Sequence, residues 1–208
     1  MVPVDRDAPT RCPSPLRIAR VRFVLELLAT LVIALALGLA SAWYMVDAPR
    51  IGIGVGAWKA VPAISSETAD PYTRARIART GEIALGAGEG VVFIAEEDDQ
   101  GGALDGACEY AVSGETPTAR LWTLTAIDGE GRLAAAITGR VSLTSREILR
   151  DLDGRFTVAV SATARPGNWL PTNREGRFRL VMRLYDTPLA LSPGNGMVMP
   201  RIERGDCR

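Results

Sequence analysis

The sequence predicts an all-β domain, an antiparallel sandwich or jelly roll with one or two short helices, preceded by a single transmembrane helix. Many short β-rich runs follow one another after residue 90, with turn residues between them. In one of these runs, residues 177–185, apolar side chains alternate almost perfectly with mostly polar ones, which is typical of a strand with one buried face. Near the N-terminus, the apolar segment 23–46 is longer than the roughly 20 residues that a helix needs to cross a bilayer.

The N-terminal segment, residues 1–22, is polar, Pro-rich and carries more arginine than acid. Because positive charge is retained on the cytoplasmic side, this segment is predicted to be cytoplasmic and residues 23–46 to be a signal anchor. Trp43 and Tyr44 lie where an interfacial aromatic belt is expected. The alternative is a cleaved signal peptide, since Ala40-Ser41-Ala42 fits a small-x-small cleavage site. Both interpretations export the remainder of the chain.

The exported part divides into a neck and a domain. Residues 47–68 include a run alternating with glycine at 52–56, and we interpret them as a flexible neck. The domain, residues 69–208, opens with a helix whose signals are Asp70 as N-cap, Pro71 in the first helical position and Gly81 as the stop.

Strands are predicted in order along the domain. The acidic run at 96–102 lacks the ligand spacing of a calcium loop, so it is interpreted as a solvated hairpin turn. The predicted strands are residues 90–95, 109–112, 120–127, 132–137, 156–161, 177–185 and a short last one around 199–202.

Composition excludes several classes of chemistry. The chain has no histidine, which removes Ser-His-Asp and Cys-His catalysis and every His-ligated metal site. Neither a metal nor a cofactor is predicted. The formal net charge is zero, so there is no electrostatic argument for nucleic acid as a partner.

The cysteines follow the predicted topology. Cys12 lies in the cytoplasmic segment, whereas Cys108 and Cys207 are the two cysteines of the exported part. An oxidising compartment favours pairing them, so we predict a structural disulfide that ties the C-terminal tail to the middle of the domain.

The most constrained stretch is Pro166-Gly167-Asn168-Trp169-Leu170-Pro171, a rigid entry to the strand at 177–185. Trp169 is expected either to close one end of a sheet as a buried plug or to line a ligand pocket. An outward arginine between aromatic rings suits an anionic or planar ligand. The candidate ligand-binding residues are Arg120, Asn168, Trp169, Arg183, Tyr185 and Asp186.

Several motifs in order resemble a known family. They are Asp70-Pro71-Tyr72-Thr73-Arg74-Ala75, Ala119-Arg120-Leu121-Trp122-Thr123-Leu124, Asp153-Gly154, the stretch around Trp169, and Arg183-Leu184-Tyr185. Together they resemble the bacterial domain of unknown function numbered 1214, in its short form with one N-terminal membrane helix. The resemblance covers about 69–207 and implies a β-rich, sandwich-like domain with no established reaction, cofactor or substrate. With the predicted signal anchor, we expect the chain to lie in a bacterial inner membrane with its domain in the periplasm.

Three functions remain open. The first is a non-enzymatic module that binds an envelope protein, a lipid or a glycan. The second is an enzyme that acts on a glycan or cell-wall polymer through paired carboxylates. The third is an accessory subunit whose small residues Ala34, Ala36 and Gly38 pack against another membrane helix. The candidate carboxylates for the enzyme are Glu109, Asp128, Asp151, Asp153 and Asp186.

Overall fold

The computed structural model describes residues 15–47, 53–60, 69–80, 85–86, 88–134, 139–188 and 197–207. The chain divides into two units, Met1–Ala48 and Pro49–Arg208.

The first unit contains one helix, α1 (Pro15–Asp47). Residues Ala19–Val46 of this helix are apolar enough to cross a membrane by length and composition, a property that signal sequences share. At its N-terminal end, Arg22 and Glu26 form an exposed ion pair one turn apart, with Nε and Oε1 separated by 3.3 Å. The predicted apolar helix is therefore present, and it begins at Pro15, within the polar segment 1–22. Residues 1–14 lie outside the described residues.

The second unit is β-rich, as predicted. It has one described helix, α2 (Pro71–Thr80), which begins as the sequence predicts, because the Asp70 carboxylate accepts hydrogen bonds from the backbone N–H groups of Tyr72 and Thr73. The predicted stop at Gly81 lies outside the described residues. The strands are β1 (Ile53–Val55), β2 (Trp58–Ala60), β3 (Gly90–Ala95), β4 (Cys108–Gly114), β5 (Leu121–Asp128), β6 (Ser142–Thr144), β7 (Phe156–Ser161), β8 (Asn168–Pro171), β9 (Phe178–Tyr185) and β10 (Arg201–Cys207).

The strands form two sheets. The six-stranded sheet has the order β1-β2-β3-β9-β5-β6, and the four-stranded sheet has the order β10-β4-β7-β8. All pairs are antiparallel except β7 and β8, which run parallel. The alternating segment that the sequence singles out is β9, which lies between β3 and β5 in the interior of the larger sheet.

One hydrophobic core joins the inner faces of both sheets. Phe178, Leu180, Met182 and Leu184 of β9 point into it, as the period of two predicts. The other sheet supplies residues such as Val112, Phe156, Val158 and Leu170. Direct contact between the sheets is visible in the rings of Trp122 and Phe156, whose centroids are 5.2 Å apart. The architecture is a sandwich, so side chains of opposite parity on each strand face away from the core.

Part of the predicted neck belongs to the domain. Residues 53–60 form the β1–β2 hairpin, with Gly56 in the left-handed region at its turn (φ 58°). Trp58 is completely buried, and its indole N–H donates to the carbonyl of Pro200 at 2.7 Å. The interpretation of these residues as a flexible linker is therefore wrong, because Trp58 anchors them in the core. Residues 48–52 and 61–68 of the neck lie outside the described residues.

The acidic run is a turn, but its central acid is not solvated. Asp98 is 4% exposed, and its Oδ2 lies 2.9 Å from Nε of Arg204 on β10. Asp99 accepts a hydrogen bond from the Ile202 N–H, and the Asp99 N–H donates to the Ile202 carbonyl. The run therefore clamps the C-terminal strand, which is also tied to β4 by the predicted disulfide between Cys108 and Cys207.

Candidate functional site

The structure distributes the six predicted ligand-binding residues over both sheets. Arg183 and Tyr185 lie on the outer face of β9, with Arg120 and Asp186 at the end of the same sheet. Asn168 and Trp169 belong to β8 in the four-stranded sheet. Since the core lies between the two sheets, the structure does not bring these two groups of side chains into one pocket.

In the group around β9, Arg120 and Asp186 contact each other where β5 begins and β9 ends. The backbone N–H of Arg120 donates to the carbonyl of Tyr185 at 3.1 Å, and the Asp186 N–H donates to the carbonyl of Glu89 at 2.8 Å. The side chains of Arg120 and Asp186 form an ion pair at 3.3 Å, with both partners more than two-thirds exposed (78% and 69%). An exposed pair of this kind contributes little to stability. Asp186 also has a left-handed backbone (φ 51°), a conformation that Asp tolerates better than most residues.

Asn168 is a buried side chain that connects β8 to the backbone of Leu149 and Thr157 through hydrogen bonds. Its Oδ1 accepts from the Leu149 N–H at 2.7 Å, and its Nδ2 donates to the carbonyls of Leu149 and Thr157 at 2.8 and 3.0 Å. The residue is 9% exposed, so these bonds replace water that it no longer contacts. Three partners within the protein leave this side chain little hydrogen-bonding capacity for a ligand.

Trp169 faces the other way. Because Asn168 and Leu170 point inward, Trp169 lies on the outer face of the four-stranded sheet, where it is half-buried. Its indole N–H donates to the carbonyl of Ser161 at 3.0 Å. The expectation of a buried tryptophan plug is therefore wrong, and its neighbour Leu170 is the β8 residue that is completely buried in the core.

A wide cleft, which we call the outer cleft, opens on the four-stranded sheet. It has a volume of about 810 Å³ and lies where β4 ends and β7 and β10 begin. The outward residues Arg201, Ser113 and Thr157 stand side by side across these three strands, because Ser113 is in register with both of the others. Its full lining is Ser113, Gly114, Glu115, Asp151, Asp153, Arg155, Phe156, Thr157, Val198, Met199, Arg201 and Glu203.

A smaller cavity of about 220 Å³ extends the outer cleft toward β8. The two cavities share Asp151 and Thr157. The smaller one continues past Ala159 to Gly167 and the start of β8. The combined depression therefore crosses the outer face of the four-stranded sheet from its first strand to its last.

The rim of the outer cleft is charged with both signs. Arg155 lies between Glu115 and Asp153, at 3.7 and 3.8 Å, distances too long for close ion-pair hydrogen bonds. Within the described part of the chain, the rim side chains of Arg201 and Glu203 form no ion pair. These groups are consequently available to a molecule that enters the cleft.

The rim also shows what sequence reasoning identified and what it missed. Asp151 and Asp153, two of the candidate carboxylates, lie on a turn in which the Asp151 N–H donates to the Arg155 carbonyl and the Gly154 N–H to the Asp151 carbonyl. Asp151 and Asp153 reach the cleft from this turn. Glu115, Arg201 and Glu203 do not stand out in the sequence, since only strand pairing brings them to the same place. The available signal was their outward parity on β10 and at the end of β4.

The remaining candidate carboxylates lie elsewhere. Glu109 makes a two-bond pair with the Arg165 guanidinium, and Asp186 pairs with Arg120. Asp128 holds the turn after β5, where hydrogen bonds from the Arg132 backbone N–H and then from the Arg132 guanidinium lower its pKa below the ordinary value of 3.8. Among the described residues there is no group of three or more His, Cys, Asp or Glu placed to hold a metal ion.

Comparisons with known proteins find one family within the domain. Residues 89–189 match the family described as protein of unknown function DUF1214. The resemblance noted in the sequence is thereby confirmed, and the outer cleft draws residues both from the DUF1214 match and from β10 beyond it. No curated protein matches the chain.

Two solved structures are similar to this chain. The crystal structure of the VPA0106 protein from Vibrio parahaemolyticus is 24% identical with a TM-score of 0.55, over 96% of this chain and 47% of that one. A protein from Burkholderia cenocepacia is 22% identical with a TM-score of 0.38, over 71% of this chain and 47% of that one. The first likeness shows a shared fold. The chain spans about half the length of each of these proteins.

Proposed function

We propose that this chain is a membrane-anchored, exported DUF1214 domain that binds an envelope ligand or partner at the outer cleft and does not catalyse a reaction. The observation that carries the proposal is the outer cleft itself, a volume of about 810 Å³ within the range of ligand sites.

Anchoring is supported by α1. Its apolar stretch Ala19–Val46 is about 42 Å long at 1.5 Å per residue, more than the roughly 30 Å of a bilayer core. Arg17, Arg20 and Arg22 precede or begin this stretch, which favours a cytoplasmic N-terminus. The disulfide between Cys108 and Cys207 supports an oxidising compartment for the domain.

A binding role is supported by the character of the rim. Asp151 and Asp153 are the only two of the five candidate carboxylates that line the outer cleft, and both are exposed on one short turn. Acid–base catalysis ordinarily uses carboxylates whose pKa is shifted by burial or by close partners. An exposed rim of mixed charge is better suited to recognition by hydrogen bonds and ion pairs.

Topology is tested with fusions to the C-terminus. An alkaline phosphatase fusion should be active and a green fluorescent protein fusion dark in a bacterial host, with α1 retained in the mass of the mature chain. An active phosphatase fusion whose mature chain starts at Trp43 would show that residues 1–42 are a cleaved signal peptide and not an anchor. An inactive phosphatase fusion would contradict export of the domain.

Binding at the cleft is tested by site-specific photocrosslinking in native membranes. A photoreactive phenylalanine at Thr157, which is exposed on the cleft floor, should give a discrete adduct, whereas one at the exposed Arg146, which does not line the cleft, should not. Adducts from residues 34–38 of α1 with none from Thr157 would favour the accessory-subunit function instead.

A further inference from the structure

We infer that the outer cleft recognises a neutral, hydroxyl-rich ligand, an oligosaccharide of more than one sugar ring. This inference rests on the proposed binding function and names the chemical class of the ligand.

The charged and hydroxyl groups of the lining argue against an apolar ligand. Four carboxylates and two guanidinium groups border the cleft, and an acyl chain or an apolar ring would displace water from them without replacing its hydrogen bonds. Ser113 and Thr157 on the floor add hydroxyl groups between the charges. A ligand that both donates and accepts hydrogen bonds along its length satisfies such a lining.

The distribution of charge separates a neutral ligand from an ion. The excess of carboxylates over guanidinium groups repels a polyanion. A polycation, in turn, meets the guanidinium of Arg155 between Glu115 and Asp153, and that of Arg201 two residues before Glu203 on the same strand face. A sugar hydroxyl can donate to a carboxylate and accept from a neighbouring guanidinium, so the interspersed signs favour a polyol.

The shape of the floor suits a chain of rings. Small side chains, Ser113, Thr157 and Ala159, form the outer surface across the two central strands of the depression, so a flat ring can approach the sheet. From β10 to β8 the depression spans three strand spacings, about 14 Å. This length exceeds a single ring and matches a short oligosaccharide lying across the strands.

Arg155 and Arg201 should therefore act as donors to the ligand. The experiment uses the full chain in micelles of lauryldimethylamine oxide, because a detergent with a sugar headgroup would compete for the site. Isothermal titration calorimetry measures binding of cellohexaose, maltohexaose and chitohexaose, with hexalysine and hexaglutamate as charged probes.

At least one hexasaccharide should bind with a Kd below about 1 mM, roughly a 4 kcal/mol interaction. Arg155→Ala and Arg201→Ala should each weaken this binding about tenfold or more, whereas the matched control Arg146→Ala should leave it unchanged. Unaltered thermal melting of the variants shows that the loss is not one of folding.

Three results overturn the inference: no hexasaccharide binds at about 5 mM, hexalysine binds in their place, or a hexasaccharide binds equally well to the two cleft variants. None of these results decides the proposed binding function, which the crosslink at Thr157 tests separately. A specific protein adduct there, without sugar binding, means that the cleft is a protein-binding site.

Discussion

Replacing Asn168 should destabilise the domain about as much as replacing its much larger neighbour Trp169. Asn168→Ala removes three hydrogen bonds in a side chain that is 9% exposed, and it leaves the N–H and C=O of Leu149 without their partner. Net values of about 0.5–1.5 kcal/mol per bond predict a loss of about 1.5–4.5 kcal/mol in the free energy of unfolding. Trp169→Ala removes a half-buried ring and one hydrogen bond, for which we expect a similar loss of about 2–4 kcal/mol.

The assay is urea unfolding of the full chain in identical micelles, followed by tryptophan fluorescence, with circular dichroism for Trp169→Ala. Asn168→Asp is the matched variant, because it keeps the acceptor toward the Leu149 N–H and places a carboxylate oxygen against two carbonyl oxygens. At neutral pH, Asn168→Asp should lower the free energy of unfolding by at least as much as Asn168→Ala does. This loss should become smaller in acid, where the protonated carboxyl can donate a hydrogen bond. A change below about 0.5 kcal/mol for Asn168→Ala would refute the assignment of faces on β8.

Other predictions concern the tail and the turns. Replacing Cys108 and Cys207 together by serine should lower the free energy of unfolding by at most about 4–5 kcal/mol, measured in denaturant, and an unchanged midpoint would contradict a disulfide that stabilises the fold. Asp98→Asn weakens a buried charge-assisted contact to β10, so amide hydrogen exchange at 201–207 should accelerate by about tenfold or more, while exchange in β9 stays constant. The lowered pKa of Asp128 stabilises the fold above its unfolded value of 3.8, and this contribution disappears as pH falls through the lower folded value. The difference in melting temperature between wild type and Asp128→Asn should therefore narrow below pH 3.8, and a difference independent of pH would exclude this linkage.

Local pattern was sufficient to predict the strand at the centre of the larger sheet. The alternation through residues 177–185 fixes both the strand and its inward face, and the structure has β9 at Phe178–Tyr185 with the predicted residues in the core. The N-cap at Asp70 and the turn at 151–154 were predictable for the same reason, since each depends on residues close in sequence.

The face of β8 was not predictable in this way. β8 is a strand of four residues at the edge of its sheet, too short for its pattern to decide whether Trp169 or its neighbours point inward. The large apolar ring of Trp169 favoured the prediction that it is the buried residue. The decision is made by a parallel pairing with β7 and by the Asn168 contacts to Leu149, nineteen residues away in sequence. For Trp58 the error was the opposite one. Its glycine-rich neighbours indicated a flexible linker, whereas its side chain lies in the core and donates a hydrogen bond to the Pro200 carbonyl.

The outer cleft depends still more on pairing between distant segments. Ser113, Thr157 and Arg201 become neighbours only through the register of β4 with β7 and β10. Each of these residues is an ordinary outward side chain when its strand is considered alone. The sequence therefore pointed to Arg183 on β9, where an arginine stands out locally, and not to the cleft.

The most direct test compares the two outer faces of the sandwich in one experiment. A photoreactive phenylalanine is placed at Thr157 in the outer cleft or at Thr123, which is in register with Arg183 on the six-stranded sheet. Both chains are irradiated in native membranes at equal expression, and their adducts are separated by mass. Binding at the outer cleft predicts a discrete adduct from Thr157 that is lost when Arg155 and Arg201 are replaced by alanine. An adduct from Thr123 with none from Thr157 would contradict it and would place the binding surface beside Arg183.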